Sequence, residues 1–323
     1  MLRLTGIEKG HPVPPPLYQN SPNPQIGYAL KSNMVERAFR STVQTNSLGF
    51  RSRETDPKKP TVAILGDSIA FGYGIENSET IAAHIEALFE SRFNVANTGV
   101  PGYGLKQEIA TYRESIAPLH PVATIIIFHW NDLEYQEPAV LENGGNLVPR
   151  GTVFTGHTCR PIEEGILGKI PGRCFLDLHS SFYRVIKKVV SRRTEQRNLT
   201  SQETAYRSSG FSESVQEDEL EEYRKTLQEF ARTLPRPLPR LFVIWPEKEL
   251  HLQARPKLKA IAAAEGFRVL DLYEVFGNSP QTLSWDTVHP SAKTAEEAAY
   301  VIADALRFYE LLPKETNILH LES

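Results

Sequence analysis

The segment Thr61-Val-Ala-Ile-Leu65-Gly66-Asp67-Ser68 decides the fold of this chain. Its first five residues are aliphatic or β-branched, with Val62, Ile64 and Leu65 typical of a strand that is buried on both faces. Gly66 permits a sharp exit from that strand, and Ser68 places a hydroxyl directly after it. Because α/β folds carry their chemistry at the carboxyl ends of parallel strands, Ser68 is a candidate nucleophile. From this segment alone, the alternative is a serine in an ordinary turn.

Alternating strands and helices follow this segment, which predicts a parallel sheet covered by helices on both faces. The run 123–128 is rich in β-branched residues and is therefore predicted to be the central strand. A capping box formed by Thr294 and Glu297 is predicted to open the last helix. Further strands are predicted at 93–97, 240–245 and 267–272, and further helices at 79–90, 105–117, 178–190, 215–233 and 254–265.

The chain divides by composition into one main domain with additions. Residues 1–59 predict a proline-rich arm followed by a small β extension. Residues 60–311 hold the alternating pattern of the main domain, and 312–323 form a short tail. Residues 133–214 interrupt the pattern with glycine, proline and polar residues, so we expect an insertion that lies over the active site.

Charge and hydropathy exclude several classes of protein. The chain has 323 residues with 36 Lys and Arg against 39 Asp and Glu, a formal charge of −3 that predicts no nucleic-acid partner. No apolar run has the length of a signal peptide or a membrane span. Only two cysteines are present, Cys159 and Cys174, which agrees with a reducing compartment. We therefore expect a cytoplasmic protein, and its oligomeric state stays open.

A serine nucleophile needs a base, and the base needs a partner that orients it. His289 is the best placed of the nine histidines, because it follows the last predicted strand and so lies at the same sheet edge as Ser68. Pro290 disfavours helical geometry at His289, which puts the imidazole in a turn. Asp286 can fold back onto it from three residues earlier. The alternative for His289 is a capping or surface histidine.

Acyl transfer also needs hydrogen-bond donors for a developing oxyanion. Gly102 follows the second strand and can bring its N–H close to a substrate, and Asn131 offers an amide after the central strand. The N–H of Ser68 is the third candidate donor. Taken singly, Gly102 could be a turn glycine and Asn131 a helix cap or an Asx turn. However, four strand ends of one predicted sheet carry the residue types for one reaction.

Together these four segments resemble the blocks of the SGNH (GDSL-type) hydrolase superfamily. The resemblance covers about residues 60–311 and implies a flavodoxin-like three-layer α/β/α sandwich with a five-stranded parallel sheet in the order 2-1-3-4-5. It implies Ser68 as nucleophile, His289 as base and Asp286 as the orienting partner. It also implies an oxyanion hole made by Ser68, Gly102 and Asn131. The matching blocks are Gly66-Asp67-Ser68, Asn97 to Gly102, Asn131-Asp132, and Asp286-Thr-Val-His289.

This chain departs from the family where the third block usually reads Gly-x-Asn-Asp, because His129 replaces the glycine. A bulky residue there could narrow the pocket or add a polar group to it. We expect a substrate-binding surface near the motifs, and core packing is the alternative for its aromatic members. The candidates for that surface are Asp67, Tyr73, Tyr103, His129 and Trp130.

Two other folds are rejected. The nucleophile segment lacks the Gly-x-Ser-x-Gly elbow of α/β-hydrolases and the Gly-x-Gly-x-x-Gly spacing of dinucleotide-binding folds. A metal site is also disfavoured, because the spacing of the candidate ligands is not a usual zinc pattern. Those ligands are His157, Cys159, Cys174 and His179, and a disulfide between the two cysteines is the other possibility considered. We predict no metal and no cofactor.

The sequence thus predicts a serine esterase. Its expected substrate is a carboxylic ester, with a short acyl group on a carbohydrate or a small metabolite. An O-acyltransferase that uses the same triad is the alternative, and a non-catalytic binding module on the same fold is a third.

Overall fold

A computed structural model describes residues 16–133, 137–141, 147–149, 171–172, 175–176, 180, 182–183 and 215–313. The strands described are β1 (Tyr18–Asn20), β2 (Tyr28–Leu30), β3 (Val35–Ala38), β4 (Ser41–Gln44), β5 (Thr61–Gly66), β6 (Asn94–Asn97), β7 (Ala123–Phe128), β8 (Ala139–Leu141), β9 (Leu147–Pro149), β10 (Arg240–Ile244) and β11 (Arg268–Asp271). The α-helices described are α1 (Ser68–Phe71), α2 (Ile81–Leu88), α3 (Leu105–Thr111), α4 (Glu217–Thr233), α5 (Ala254–Ala264), α6 (Tyr273–Phe276) and α7 (Ala292–Phe308).

A five-stranded sheet forms the centre of the fold, in the order β11-β10-β7-β5-β6. All four neighbouring pairs are parallel. Counted along the chain, this is the predicted order 2-1-3-4-5, and β7 is the central strand as predicted. The prediction of a three-layer α/β/α fold is confirmed.

The sequence of β5 explains why helices cover both faces of the sheet. Alternate side chains of a strand point to opposite faces. Val62 and Ile64 pack into a core with α2 and α7. Ala63 and Leu65 pack into a second core with α3, α4 and α5 on the other face. A strand with both faces apolar is stable only in this central position.

The residues before the sheet form two hairpins, and this confirms a β extension. β1 pairs with β2, and β3 pairs with β4, both antiparallel. Their apolar side chains share a third core with Phe71, the last residue of α1, and with Tyr103, which lies after β6. The extension therefore packs against the loops at the carboxyl edge of the sheet.

Arg51 fastens this extension to the segment that follows α1. Its side chain is buried, and its five N–H donors are all used. Burial lowers the pKa of Arg51 to about 10, against the opposing effect of Glu76 and Glu79. The acceptors are the carbonyls of Thr42, Phe71, Gly72 and Ile75 and the Asn77 side chain.

Two helix predictions need correction. The capping box of Thr294 and Glu297 is wrong, because α7 begins at Ala292 with Ser291 as its N-cap, directly after the helix-disfavouring Pro290. The Thr294 hydroxyl instead donates to the Gln281 carbonyl at 2.6 Å. The predicted helix 105–117 is α3 followed by a wider turn, Tyr112–Ile116, and a tighter one, Ala117–Leu119, which contains a proline.

The predicted helix 178–190 and most of the predicted insertion lie outside the described residues. Both cysteines lie there too, as do the histidines of the metal alternative. Within the described ranges, no helix is long and apolar enough to cross a bilayer.

Candidate active site

The exit of β5 places Ser68 at the carboxyl edge of the sheet. Gly66 has φ 153°, and a Cβ on it would lie 2.7 Å from Ala70 Cβ and 2.9 Å from Ile127 O, so this turn accepts only glycine. Asp67 caps α1, because its Oδ1 accepts the Ile69 N–H at 2.8 Å. Ser68 is the first residue of α1, and its hydroxyl faces the loops that follow the other strands.

Ser68, His289 and Asp286 form a continuous chain of hydrogen bonds. The Ser68 Oγ lies 2.9 Å from His289 Nε2, and His289 Nδ1 lies 2.9 Å from Asp286 Oδ2. Burial raises the pKa of Asp286, but hydrogen bonds from the His289 side chain and from the N–H groups of His289 and Val288 outweigh it and lower the pKa to about 2. The ionised carboxylate keeps a proton on Nδ1, so Nε2 can accept the proton of the serine.

The loop that carries His289 is held together by contacts between its two ends. The Leu283 N–H donates to the His289 carbonyl at 2.9 Å, and Thr282 bridges to Pro290. The Tyr73 ring stacks on the imidazole, with centroids 4.1 Å apart and planes at 22°. The Tyr73 N–H donates to the Ser68 carbonyl at 3.1 Å, so the Tyr73 backbone is also tied to the serine. These contacts fix the imidazole opposite Ser68.

The two predicted oxyanion donors outside α1 lie at the same edge. Asn131 Nδ2 donates to Asp67 Oδ2 at 3.1 Å, and this oxygen is 3.4 Å from Ser68 Oγ. Gly102 has φ 83°, and no described residue accepts a hydrogen bond from its N–H. The Val100 N–H donates to the Gly66 carbonyl at 3.3 Å, which holds the Gly102 loop against the exit of β5.

The predicted substrate-binding residues separate into two groups. Tyr73 is partly exposed beside His289. The other four, Asp67, Tyr103, His129 and Trp130, are buried. The Tyr103 hydroxyl donates to the Tyr28 carbonyl, and the Trp130 ring stacks on His251 with centroids 3.6 Å apart. For these two rings the core-packing alternative describes the structure better.

Sequence reasoning missed the burial of two carboxyl groups that interact with Asp67, those of Glu108 and Asp132. Glu108 lies on the apolar stripe of α3 with Leu105 and Ile109, and neither of its oxygens has a hydrogen-bond partner among the described residues. Burial, with the charge of Asp67, raises the pKa of Glu108 to about 8. Burial and the charges of Glu108 and Asp67 also raise the pKa of Asp132. An acidic residue on an apolar helical stripe was the available signal.

Two further groups were missed. Trp285 and Phe39 flank Tyr73, with ring centroids at 5.8 Å and 4.2 Å from it, and the Arg40 guanidinium lies 4.7 Å above the Trp285 ring. The second group has three potential metal ligands within 4.8 Å of one another; two of them are partly exposed and the third is buried. Its members are Glu247, Glu249 and His251.

Comparison with known proteins finds solved structures that are similar to this chain at low sequence identity. No curated protein is significantly similar in sequence. A G-D-S-L family protein of Desulfitobacterium hafniense is 14% identical, covering 77% of this chain and 100% of its own, with TM-score 0.42. A lipase/acylhydrolase of Enterococcus faecalis is 13% identical, covering 79% and 99%, with TM-score 0.44. An acetyl-xylooligosaccharide esterase of Geobacillus is 15% identical, covering 79% and 95%, with TM-score 0.40.

The family profile described as GDSL-like lipase/acylhydrolase matches residues 64–296, most of the chain. The match spans the Ser68 segment and the His289 loop, whose geometry suits hydrolysis of an ester. The chain therefore belongs to the GDSL-like lipase/acylhydrolase family and is an ester-hydrolysing enzyme.

Proposed function

We propose that the protein is a serine esterase that cleaves a carboxylic ester through an acyl-enzyme on Ser68. One observation carries this proposal: Ser68 Oγ, both imidazole nitrogens of His289 and the Asp286 carboxylate are joined by two hydrogen bonds of 2.9 Å each. A hydroxyl in line with an imidazole whose other nitrogen meets a carboxylate is the arrangement that activates a serine.

In the first half of the reaction, the Ser68 Oγ attacks the ester carbonyl carbon and its proton passes to His289 Nε2. Asp286 stabilises the resulting imidazolium through the Nδ1–H. The carbonyl oxygen becomes an oxyanion that accepts hydrogen bonds from the N–H groups of Ser68 and Gly102 and from Asn131 Nδ2. The imidazolium then gives its proton to the departing alcohol oxygen, and the acyl group stays on Ser68.

In the second half, water takes the place of the alcohol. His289 removes a proton from the water as the water oxygen attacks the acyl carbon, and the same three donors hold the second oxyanion. Collapse of that intermediate returns the proton to Ser68 and releases the carboxylic acid. Both halves use one base and one set of donors, so each group acts twice in a turnover.

For the substrate, we propose a short acyl ester of a carbohydrate or a small metabolite. Tyr73 and Trp285 are both partly exposed, and Tyr73 stacks on the imidazole of His289. Aromatic faces with a few nearby polar groups are typical of sites that bind small polar molecules. The Arg40 guanidinium over Trp285 adds a hydrogen-bond donor on the same side.

The test is turnover of p-nitrophenyl esters with acetyl, butyryl and longer chains, together with acetylated sugars. Ser68→Ala is expected to abolish turnover, and Asn131→Ala to lower kcat by roughly a hundred- to a thousandfold. We expect the highest kcat/KM with the acetyl or butyryl ester. Wild-type turnover by purified Ser68→Ala would refute the serine mechanism, and a preference for long chains would refute the proposed acyl group.

An O-acyltransferase remains the second candidate, since an alcohol can replace water in the second half of the reaction. The His289 side chain is 16% exposed, so an acceptor larger than water can approach it from solvent. Product analysis with an acetyl ester, with and without a sugar acceptor, separates the two. Free acetate in both samples supports hydrolysis, whereas an acetylated sugar formed in preference to acetate supports transfer.

A further inference from the structure

His129 is a polar residue in a buried position directly after β7. Its side chain is 8% exposed, so its ring nitrogens need partners within the protein. The Nδ1 atom lies 2.5 Å from Asn131 Oδ1, and 3.5 Å from the backbone N of Asn131. The first contact is a short hydrogen bond, and the second is beyond the usual length of one. The imidazole thus acts mainly on the side-chain amide of Asn131.

The contacts of Asn131 fix which way its amide faces. Its Nδ2 lies 3.1 Å from Asp67 Oδ2, and a carboxylate oxygen only accepts, so the NH₂ end faces Asp67. The oxygen end therefore faces His129, and the hydrogen of this short contact must come from Nδ1. Glu247 Oε2 lies 3.8 Å from the other ring nitrogen, Nε2. With one amide hydrogen on Asp67, the second is left for a substrate oxygen.

We propose that His129 is a positioning residue that holds the Asn131 amide with its N–H toward the developing oxyanion. The inference rests on the proposed function, which places Asn131 in the oxyanion hole. Without the Nδ1–H donor, the amide can rotate and present its oxygen to the oxyanion, which removes a donor and adds a repulsive contact. Because the oxyanion exists only after attack, the loss falls on kcat and leaves KM unchanged.

The turn that carries Asn131 does not depend on the imidazole. The His129 N–H donates to Asp132 Oδ2 at 2.9 Å, and the Asp132 N–H donates to the His129 carbonyl at 2.9 Å. These bonds involve the backbone of residue 129, so they persist when its side chain changes. A variant at this position therefore reports on the ring nitrogen and leaves the turn intact.

The experiment compares His129→Leu, which removes the donor, with His129→Asn, whose amide nitrogen reaches the place of Nδ1. Turnover of p-nitrophenyl acetate is measured with thermal unfolding of each protein. The leucine variant is expected to lose about tenfold in kcat with KM within about twofold of wild type, and the asparagine variant to recover to within about threefold. His84→Leu, on the outer helix α2, is the matched control and should match wild type.

A double mutant then tests whether His129 acts through Asn131. His129→Leu combined with Asn131→Ala is expected to be no slower than Asn131→Ala alone. Equal kcat losses in the leucine and asparagine variants, or losses that multiply in the double mutant, would overturn the inference.

Two single variants distinguish failure of the positioning role of His129 from failure of the proposed function. If Ser68→Ala is inactive and Asn131→Ala is slow but His129→Leu is normal, only the positioning role is wrong. If Ser68→Ala or Asn131→Ala keeps wild-type turnover, the proposed mechanism fails and the inference falls with it.

Discussion

Replacing Glu108 by glutamine should make the protein more stable at neutral pH and remove part of its pH dependence. Both carboxyl oxygens of Glu108 are buried without a hydrogen-bond partner among the described residues. Burial and the nearby charge of Asp67 raise its pKa from 4.5 to about 8. Glutamine has nearly the same shape, stays neutral at every pH and removes only the titration.

The sign of the effect follows from where the proton is held. Between pH 4.5 and about 8 the folded protein keeps the Glu108 proton and the unfolded chain has lost it, so stability falls as pH rises. Below pH 4.5 both states are protonated, and the penalty vanishes. One proton gives a slope on the order of 1.4 kcal/mol per pH unit. From pH 5 to pH 7.5, the stability advantage of the glutamine variant should therefore grow by roughly 3 kcal/mol.

Urea unfolding followed by tryptophan fluorescence at pH 5, 6, 7 and 7.5 measures this difference. The control is Glu229→Gln on α4, where the carboxylate is exposed and pairs with Arg113. That variant should stay within about 1 kcal/mol of wild type at every pH. Parallel stability curves for wild type and Glu108→Gln would show that the buried carboxyl is not held protonated in the folded state.

Three further changes have definite expected outcomes. Arg51→Met leaves four backbone carbonyls without their donor and should lower the free energy of unfolding in urea by about 4 kcal/mol. The control Arg53→Met, at an exposed position, should lower it by under about 1 kcal/mol, and equal losses would contradict the role of Arg51 in fastening the extension. Asp286→Asn should lower kcat by about 10³- to 10⁴-fold. The loss should hold from pH 5 to 9, because a pKa of about 2 keeps the wild-type carboxylate ionised over that range. A loss under about tenfold would show that Asp286 does not orient His289. Arg40 has a left-handed backbone with φ 66°, which glycine adopts without strain, so Arg40→Gly should raise the free energy of unfolding by up to about 1 kcal/mol. If urea unfolding gives a free energy below that of wild type, the contact of Arg40 with Trp285 outweighs the strain.

The sheet and the meeting of Ser68 with His289 could be predicted because both follow from local patterns. Apolar runs of strand length identified β5, β7 and β10 to within a residue. The parallel topology then brought together a serine and a histidine that are 221 residues apart in the sequence. Nothing more than the shared carboxyl edge of the sheet was needed for that step.

Features that depend on several distant partners could not be predicted. Arg51 finds its acceptors on residues 42 to 77, which meet only when the extension packs on the loop after α1. The turn at Phe39 and Arg40 has φ 50° and 66°, where two-residue hairpins usually carry asparagine or glycine. The residue types at positions 39 and 40 therefore gave no signal for this turn. The burial of Tyr103 and Trp130 was likewise set by the packing of other elements.

Labelling with a fluorophosphonate probe, followed by mass spectrometry of the peptides, tests the central claim most directly. The probe phosphonylates an activated serine by displacing fluoride, so it reports on the nucleophile without knowledge of the substrate. The wild-type protein should be labelled at Ser68 alone, Ser68→Ala should stay unlabelled, and His289→Ala should react at least about a hundredfold more slowly. Labelling of a different serine, or of Ser68 at an unchanged rate in His289→Ala, would contradict the proposed triad.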